Sequence, residues 1–232
     1  ITVTAAGPAL ANGTDCPQHF AGGQPPQIVD SKFKPRTQEL CFEAFAVLHS
    51  GISRTPLYAA ERLTRKNLEA AKALSRKDSF HAEDRLPERD RAELSDYARS
   101  GYDRGHMAPN ANMPTRKAQA ESFSLANMVP QSERHNGGPW AQVEQDTRHF
   151  AGRAKGDVYV ITGPVYVQSR KTIGENRVRV PDYVFKLVYD ESKQKAWAHW
   201  HANRDNTRAG QPISYRVLVQ RTGIEFLPGV GL

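Results

Sequence analysis

The chain has 232 residues, 32 Lys+Arg against 25 Asp+Glu, a formal charge of +7 and 9% aromatics. This balance is that of an ordinary folded protein and excludes disorder, collagen and coiled coil; no apolar stretch reaches the roughly 20 residues that span a bilayer. The basic excess predicts a polyanionic partner such as nucleic acid or anionic lipid, although a generic solubility charge could also explain it; the lack of a spanning stretch predicts no membrane.

The first 35 residues carry Pro8, Pro17, Pro25, Pro26 and Pro35 with Gly7, Gly13, Gly22 and Gly23. That density of breakers predicts an extended arm over 1–35, ahead of a single α+β domain over 36–232. Ala9-Leu10-Ala11 has the small-x-small form of a signal-peptidase site, so 1–11 reads as a signal remnant or a leftover of expression. Cys16 and Cys41 are either bridged, tethering the arm, or two unrelated buried thiols. The expectation is the bridge and, with it, a secreted or periplasmic protein.

Residues 39–49 (Leu40, Phe42, Phe45, Val47, Leu48) predict one buried strand, with Leu57–Leu63 as its partner. Pro87–Arg99 predicts a short surface helix, followed by a turn at Ser100-Gly101. Helices are expected over Thr115–Phe123 and Pro139–Ala154, with Pro139 at the first helical position. Asp157–Thr162, Tyr183–Tyr189 and Ala196–His201 predict strands, the last two as a hairpin. Ile213–Val219 is ambiguous, since its valines favour strand while Gly223 suits a helix end.

Within Tyr102–Pro109 (YDRGHMAP) an extended backbone puts Arg104 and His106 on one face and Asp103 on the other. The Arg charge beside His106 favours the neutral imidazole, which accepts a proton at neutral pH. Further on stand Asn127, Pro130 and Gln131, then Asn136, Trp140, Glu144 and Arg148 at steps of four. On a helix these four share a stripe. The bland alternatives are an N-cap at Asn136, a core tryptophan and an i,i+4 ion pair. His199 and His201 alternate in a strand, which explains them as well as a second metal site does.

The ordered set Asp103-Arg104-Gly105-His106, Asn127-x-x-Pro130-Gln131 and Asn136-x3-Trp140-x3-Glu144-x3-Arg148 resembles the DNA/RNA non-specific endonucleases. These are the ββα-metal (His-Me finger) nucleases. Thr55-Pro56-Leu57, Ala60-Glu61-Arg62-Leu63-Thr64 and Arg76-x-Asp78-x-Phe80 extend the resemblance upstream. It implies a mainly antiparallel central sheet flanked by helices, and hydrolysis of phosphodiester bonds in DNA and RNA to leave 5′-phosphate ends. His106 is implied as general base and Asn136 as the one protein ligand of a hydrated Mg²⁺, which Mn²⁺ could replace. Glu144 would orient the waters and Asn127 support the local geometry. Arg76 and Arg104 would clamp the scissile phosphate, with Arg148 as a further substrate contact. Asn112 stands where many bacterial relatives have Asp, and Gly138-Pro139 is a local variation at the helix start. An acidic inhibitor protein and a homodimer are implied as possible partners. The competing readings are a catalytically inert nucleic-acid binder and a phosphodiesterase for small esters.

Overall fold

The computed structural model describes residues 13–232, so the expected signal remnant lies outside the described residues. Runs of apolar β-formers supply the frame. The chain enters through short 3₁₀ turns and β1 (Gln27–Ile28). β2 (Thr37–Cys41), β3 (Phe45–Ser50) and β4 (Thr55–Leu63) then form an antiparallel meander. The single strand expected over 39–49 is therefore two strands with a turn at Phe42–Ala44. Phe42 and Phe45 stack across that turn with ring centroids 4.3 Å apart, so the apolar run continues although the backbone reverses.

α1 (Arg65–Lys72) follows, capped by Thr64, whose side chain accepts from Asn67 N. The helix expected over Pro87–Arg99 shrinks to a 3₁₀ turn and α2 (Leu94–Tyr97). Its acidic residues serve tertiary contacts instead: Asp90 receives Arg36 Nε at 3.0 Å, and Asp96 accepts from Asn176 N at 3.0 Å. β5 (Asp103–His106), α3 (Arg116–Ser122) and β6 (Met128–Gln131) come next, with β5 and β6 paired antiparallel. The Asn136–Trp140 segment is a wide π turn between α4 (Glu133–His135) and α5 (Ala141–Arg153). Pro139 thus sits inside a kinked helix rather than at its start, and Gly138 absorbs the kink with φ −111° and ψ −108°.

β7 (Val158–Val165) leads to a small hairpin, β8 (Thr172–Ile173) with β9 (Val178–Arg179). β10 (Tyr183–Asp190) and β11 (Lys195–Ala202) form the expected hairpin. The ambiguous tail divides into β12 (Ile213–Ser214) and α6 (Tyr215–Thr222). Gly223 ends α6 at φ +67°, where a side chain would be strained and would meet Asp30 Cβ at 2.9 Å. β13 (Ile224–Glu225) then pairs with β1.

The main sheet has seven strands in the order β12-β11-β10-β7-β4-β3-β2, all antiparallel. Period-two alternation gives it two buried faces. Tyr159, Ile161, Phe185 and Leu187 pack on one side with Phe20, Leu218 and Phe226, so residues of the N-terminal segment and the tail cover that face. The Cys16–Cys41 bridge is present, with Cα atoms 5.8 Å apart, and ties that segment to β2. On the other side Ala59, Val47 and Val184 meet Met107, Val129 and Trp140. That face carries β5, β6 and α5, and with them the chemistry. Among the described residues no helix is long and apolar enough to cross a membrane.

Candidate active site

β5 delivers Arg104 and His106 from one face, as the alternation requires. Gly105 between them is buried against Gln131: an added Cβ would stand 2.6 Å from Gln131 Cβ and closer still to its Oε1. Only glycine lets β5 lie this close to its partner strand. Asn127, fully buried, holds the chain beyond β5. Its Oδ1 accepts from Ala108 N at 2.9 Å, its Nδ2 donates to the carbonyls of Ala108 and Ser122, and its own carbonyl accepts from Met107 N.

His106 sits between two aromatic rings, 5.8 Å from Phe80 and 5.0 Å from Phe123 by ring centroids. The same rings carry the two arginines: the Arg104 guanidinium lies 3.8 Å from the Phe80 centroid and that of Arg76 lies 5.4 Å from Phe123. Burial above all, then Arg76 and Arg104, depress the imidazole pKa to about 3, against the opposing pull of Asp78. The ring is neutral at neutral pH, and its Nε2 is buried with no partner among the described residues. Arg76 is held in place by Asp78, with Nε donating to Oδ1 at 2.5 Å.

The π turn brings Asn136 to the start of β5, where its Nδ2 donates to Asp103 Oδ2 at 2.9 Å. That bond commits the amide nitrogen and leaves Oδ1, a hard oxygen, with no donor among the described residues. The donor set therefore fits a single-ligand divalent cation. Behind it, His135 Nε2 pairs with His201 Nδ1 at 3.2 Å and His135 Nδ1 with Gln131 at 3.1 Å. His201 is thus engaged in packing the turn rather than ligating with His199. Among the described residues the one grouping of three or more His, Cys, Asp or Glu at metal-binding spacing is Cys16, Glu39 and Cys41, whose thiols are bridged.

Glu144 and Arg148 follow on α5, but they belong to a buried charge cluster that the motifs did not announce. Lys186, 1% exposed, donates to Thr162 Oγ1 at 2.7 Å, and its ammonium is 5.5 Å from the Trp140 ring. Glu61, also 1% exposed, accepts from Asn112 Nδ2 at 3.0 Å, and Asn112 Oδ1 accepts from Arg148 at 3.3 Å. Burial raises the Glu61 carboxyl to about 7, against the pull of Lys186. Burial also raises Glu144, opposed by Lys186, Arg148 and Arg76, and lowers Lys186. The signal for this cluster was a charge inside each of two apolar strand runs, Glu61 in β4 and Lys186 in β10.

The family described as DNA/RNA non-specific endonuclease matches residues 24–231. A mitochondrial nuclease of Saccharomyces cerevisiae is 36% identical over 166 residues, covering 65% of this chain and 50% of that protein. The mitochondrial nuclease EXOG of Homo sapiens is 31% identical over 66% of this chain and 44% of its own length. Mitochondrial endonuclease G of Bos taurus is 30% identical over 74% of this chain and 60% of its own length. The chain thus spans about half the length of the first curated relatives it matches. A solved complex of EndoG with EndoGI, described as showing the mechanism of EndoG inhibition, superposes with a TM-score of 0.77. Sequence identity there is 26%, over 88% of this chain and 91% of that one. These relatives are named for the mitochondrion, which overturns the expectation of a secreted or periplasmic protein.

Proposed function

The chain belongs to the DNA/RNA non-specific endonuclease family, and from that premise and the site's geometry we propose that it hydrolyses phosphodiester bonds of DNA and RNA. The observation that carries this is the grouping of a neutral, unpartnered His106 with two arginines around the same pair of phenylalanine rings. Arg76 and Arg104 bind the scissile phosphate and offset charge that develops on its oxygens. His106 takes the proton of the attacking water as the water oxygen bonds to phosphorus. The bond from phosphorus to the 3′ oxygen breaks, the leaving oxygen takes a proton from a water molecule, and the products are a 3′-hydroxyl and a 5′-phosphate. Asn136 Oδ1 would hold a divalent cation, Mg²⁺ or Mn²⁺, which would supply Lewis-acid stabilisation of negative charge.

An imidazole depressed to about 3 is a weak base, and a bound phosphate raises it only in part. Its negative charge between Arg76 and Arg104 offsets their share of the depression and makes the ring a better proton acceptor, while the larger share due to burial remains. Asn127 holds the segment after His106, and Glu144 would orient the waters of the cation. Contacts confined to phosphate carry no base information, so sequence preference is weak. An acidic inhibitor protein fits the +7 charge, and the solved relative bound to EndoGI supports looking for one.

Supercoiled plasmid incubated with Mg²⁺, with EDTA and with the His106→Ala variant tests the reading. Cleavage that needs metal and falls about 10²–10⁴-fold without the imidazole supports it. Plasmid binding without cutting under any divalent metal establishes the inert binder instead.

A further inference from the structure

A groove of about 620 Å³ opens beside Arg76 and runs between α1 and α5. Its walls are helix stripes: residues 65, 68, 69 and 72 of α1 face 145, 148, 149 and 152 of α5. Arg65 Nε donates to the Gly152 carbonyl at 3.0 Å, so the start of α1 meets the end of α5. The other end of the groove reaches Arg76 and Arg148. Five cations line it (Arg65, Lys72, Arg76, Arg148, Arg153) against one carboxylate, Glu69. Among the described residues Arg65, Lys72, Arg148 and Arg153 have no carboxylate partner, whereas Arg76 is paired with Asp78.

We propose that this groove is the track for the substrate strand's sugar-phosphate backbone beyond the scissile phosphate. The proposal rests on the nuclease reading above and extends it to residues that no motif singles out. α1 is eight residues long, about 12 Å at 1.5 Å per residue. At roughly 3.4 Å of axis per phosphate of one strand, that is room for about three phosphates. Cations without counter-charges, leading away from the reacting centre, hold a polyanion in register and leave its bases unread.

The test is binding of a fluorescein-labelled 20-base-pair duplex in EDTA across 50–200 mM NaCl. It compares wild type with Lys72→Gln/Arg153→Gln and with a control, Lys34→Gln/Lys171→Gln, whose residues do not line the groove. Glutamine keeps an unbranched stem and good helix propensity, so α1 and α5 are retained. Each lost phosphate contact flattens the slope of log K against log salt by about 0.9. The groove variant is expected to lose about 1.8 and to bind tens-fold more weakly at 0.1 M salt, with the control close to wild type. Hydrolysis of a small chromogenic diester is expected to be unchanged. Equal effects in groove and control variants overturn the track. Because the readout is binding without metal, it stands apart from the nuclease reading, which fails instead if wild type never cuts.

Discussion

Replacing Lys186 by Met keeps most of the stem and removes a charge buried between Glu61 and Glu144. Glu61 Oε1 keeps Asn112, but Oε2 has no hydrogen-bond partner, so the Lys186 ammonium is its principal compensation. Stranding a buried charge in this way costs about 3–5 kcal/mol unless the group neutralises. Glu61 has that escape. Its folded-state pKa, about 7, lies above the ordinary 4.5, so its contribution to stability is complete below pH 4.5 and is lost as pH rises to about 7. Without Lys186 the folded pKa climbs further, and the loss continues upward at up to about 1.4 kcal/mol per pH unit for one proton. Wild type and Lys186→Met should therefore lie within about 1 kcal/mol at pH 5 and differ by about 3 kcal/mol at pH 9. Urea unfolding at pH 5, 7 and 9 measures both curves. A difference of the same size at every pH refutes the reasoning, because lost packing alone carries no proton.

Gly105→Ala forces a Cβ into Gln131 and pushes β5 off β6; a loss of about 1–3 kcal/mol is expected, with plasmid cleavage falling more steeply than DNA binding. Reducing Cys16–Cys41 releases a loop with a sequence separation of 25, which by chain entropy is worth about 3.5 kcal/mol; a shift of less than about 1 kcal/mol in the urea ΔG with dithiothreitol contradicts that account. His49, 1% exposed with Nε2 on the Asp90 carbonyl at 2.8 Å, is depressed by burial from 6.5 to about 4. Its contribution is complete above pH 6.5 and lost as pH falls to about 4, a change of about 3 kcal/mol. His49→Gln should flatten the stability curve over that range and leave its slope, though not its height, unchanged above pH 7.

The DRGH strand was legible because its chemistry is local. Period-two alternation alone puts Arg104 beside His106, and the structure uses that face. What alternation could not supply was the environment of the imidazole. Phe80 and Phe123 come from opposite sides in sequence, and only the tertiary fold brings their rings to His106. The strand expected over 39–49 was over-read for a related reason. Phe42 and Phe45 satisfy an apolar pattern whether the backbone continues or turns, and their stacking rewards the turn. At Pro139 the missing amide hydrogen reads as a helix-start signal, but a π turn tolerates it as well, and α4 already lies before it.

The charges within the strands carry a different kind of information. Periodicity treats Glu61 and Lys186 as faults in otherwise apolar runs, yet a buried charge demands a compensating partner, so each predicts that the other exists. Sheet register places both on the face that bears α5: Lys186 is level with Thr162, and Glu61 with Val160 two residues further along β7. Asn112 then links Glu61 to Arg148. A helix tied by a directed hydrogen bond, Arg148 to Asn112, is constrained in rotation as well as in position, which apolar packing on a sheet does less strictly. Glu144, Arg148 and, one kink earlier, Asn136 all ride on that helical stretch. The Glu61–Asn112–Arg148 chain of hydrogen bonds therefore ties the rotation of α5 to the sheet, and with it the direction in which its polar residues face.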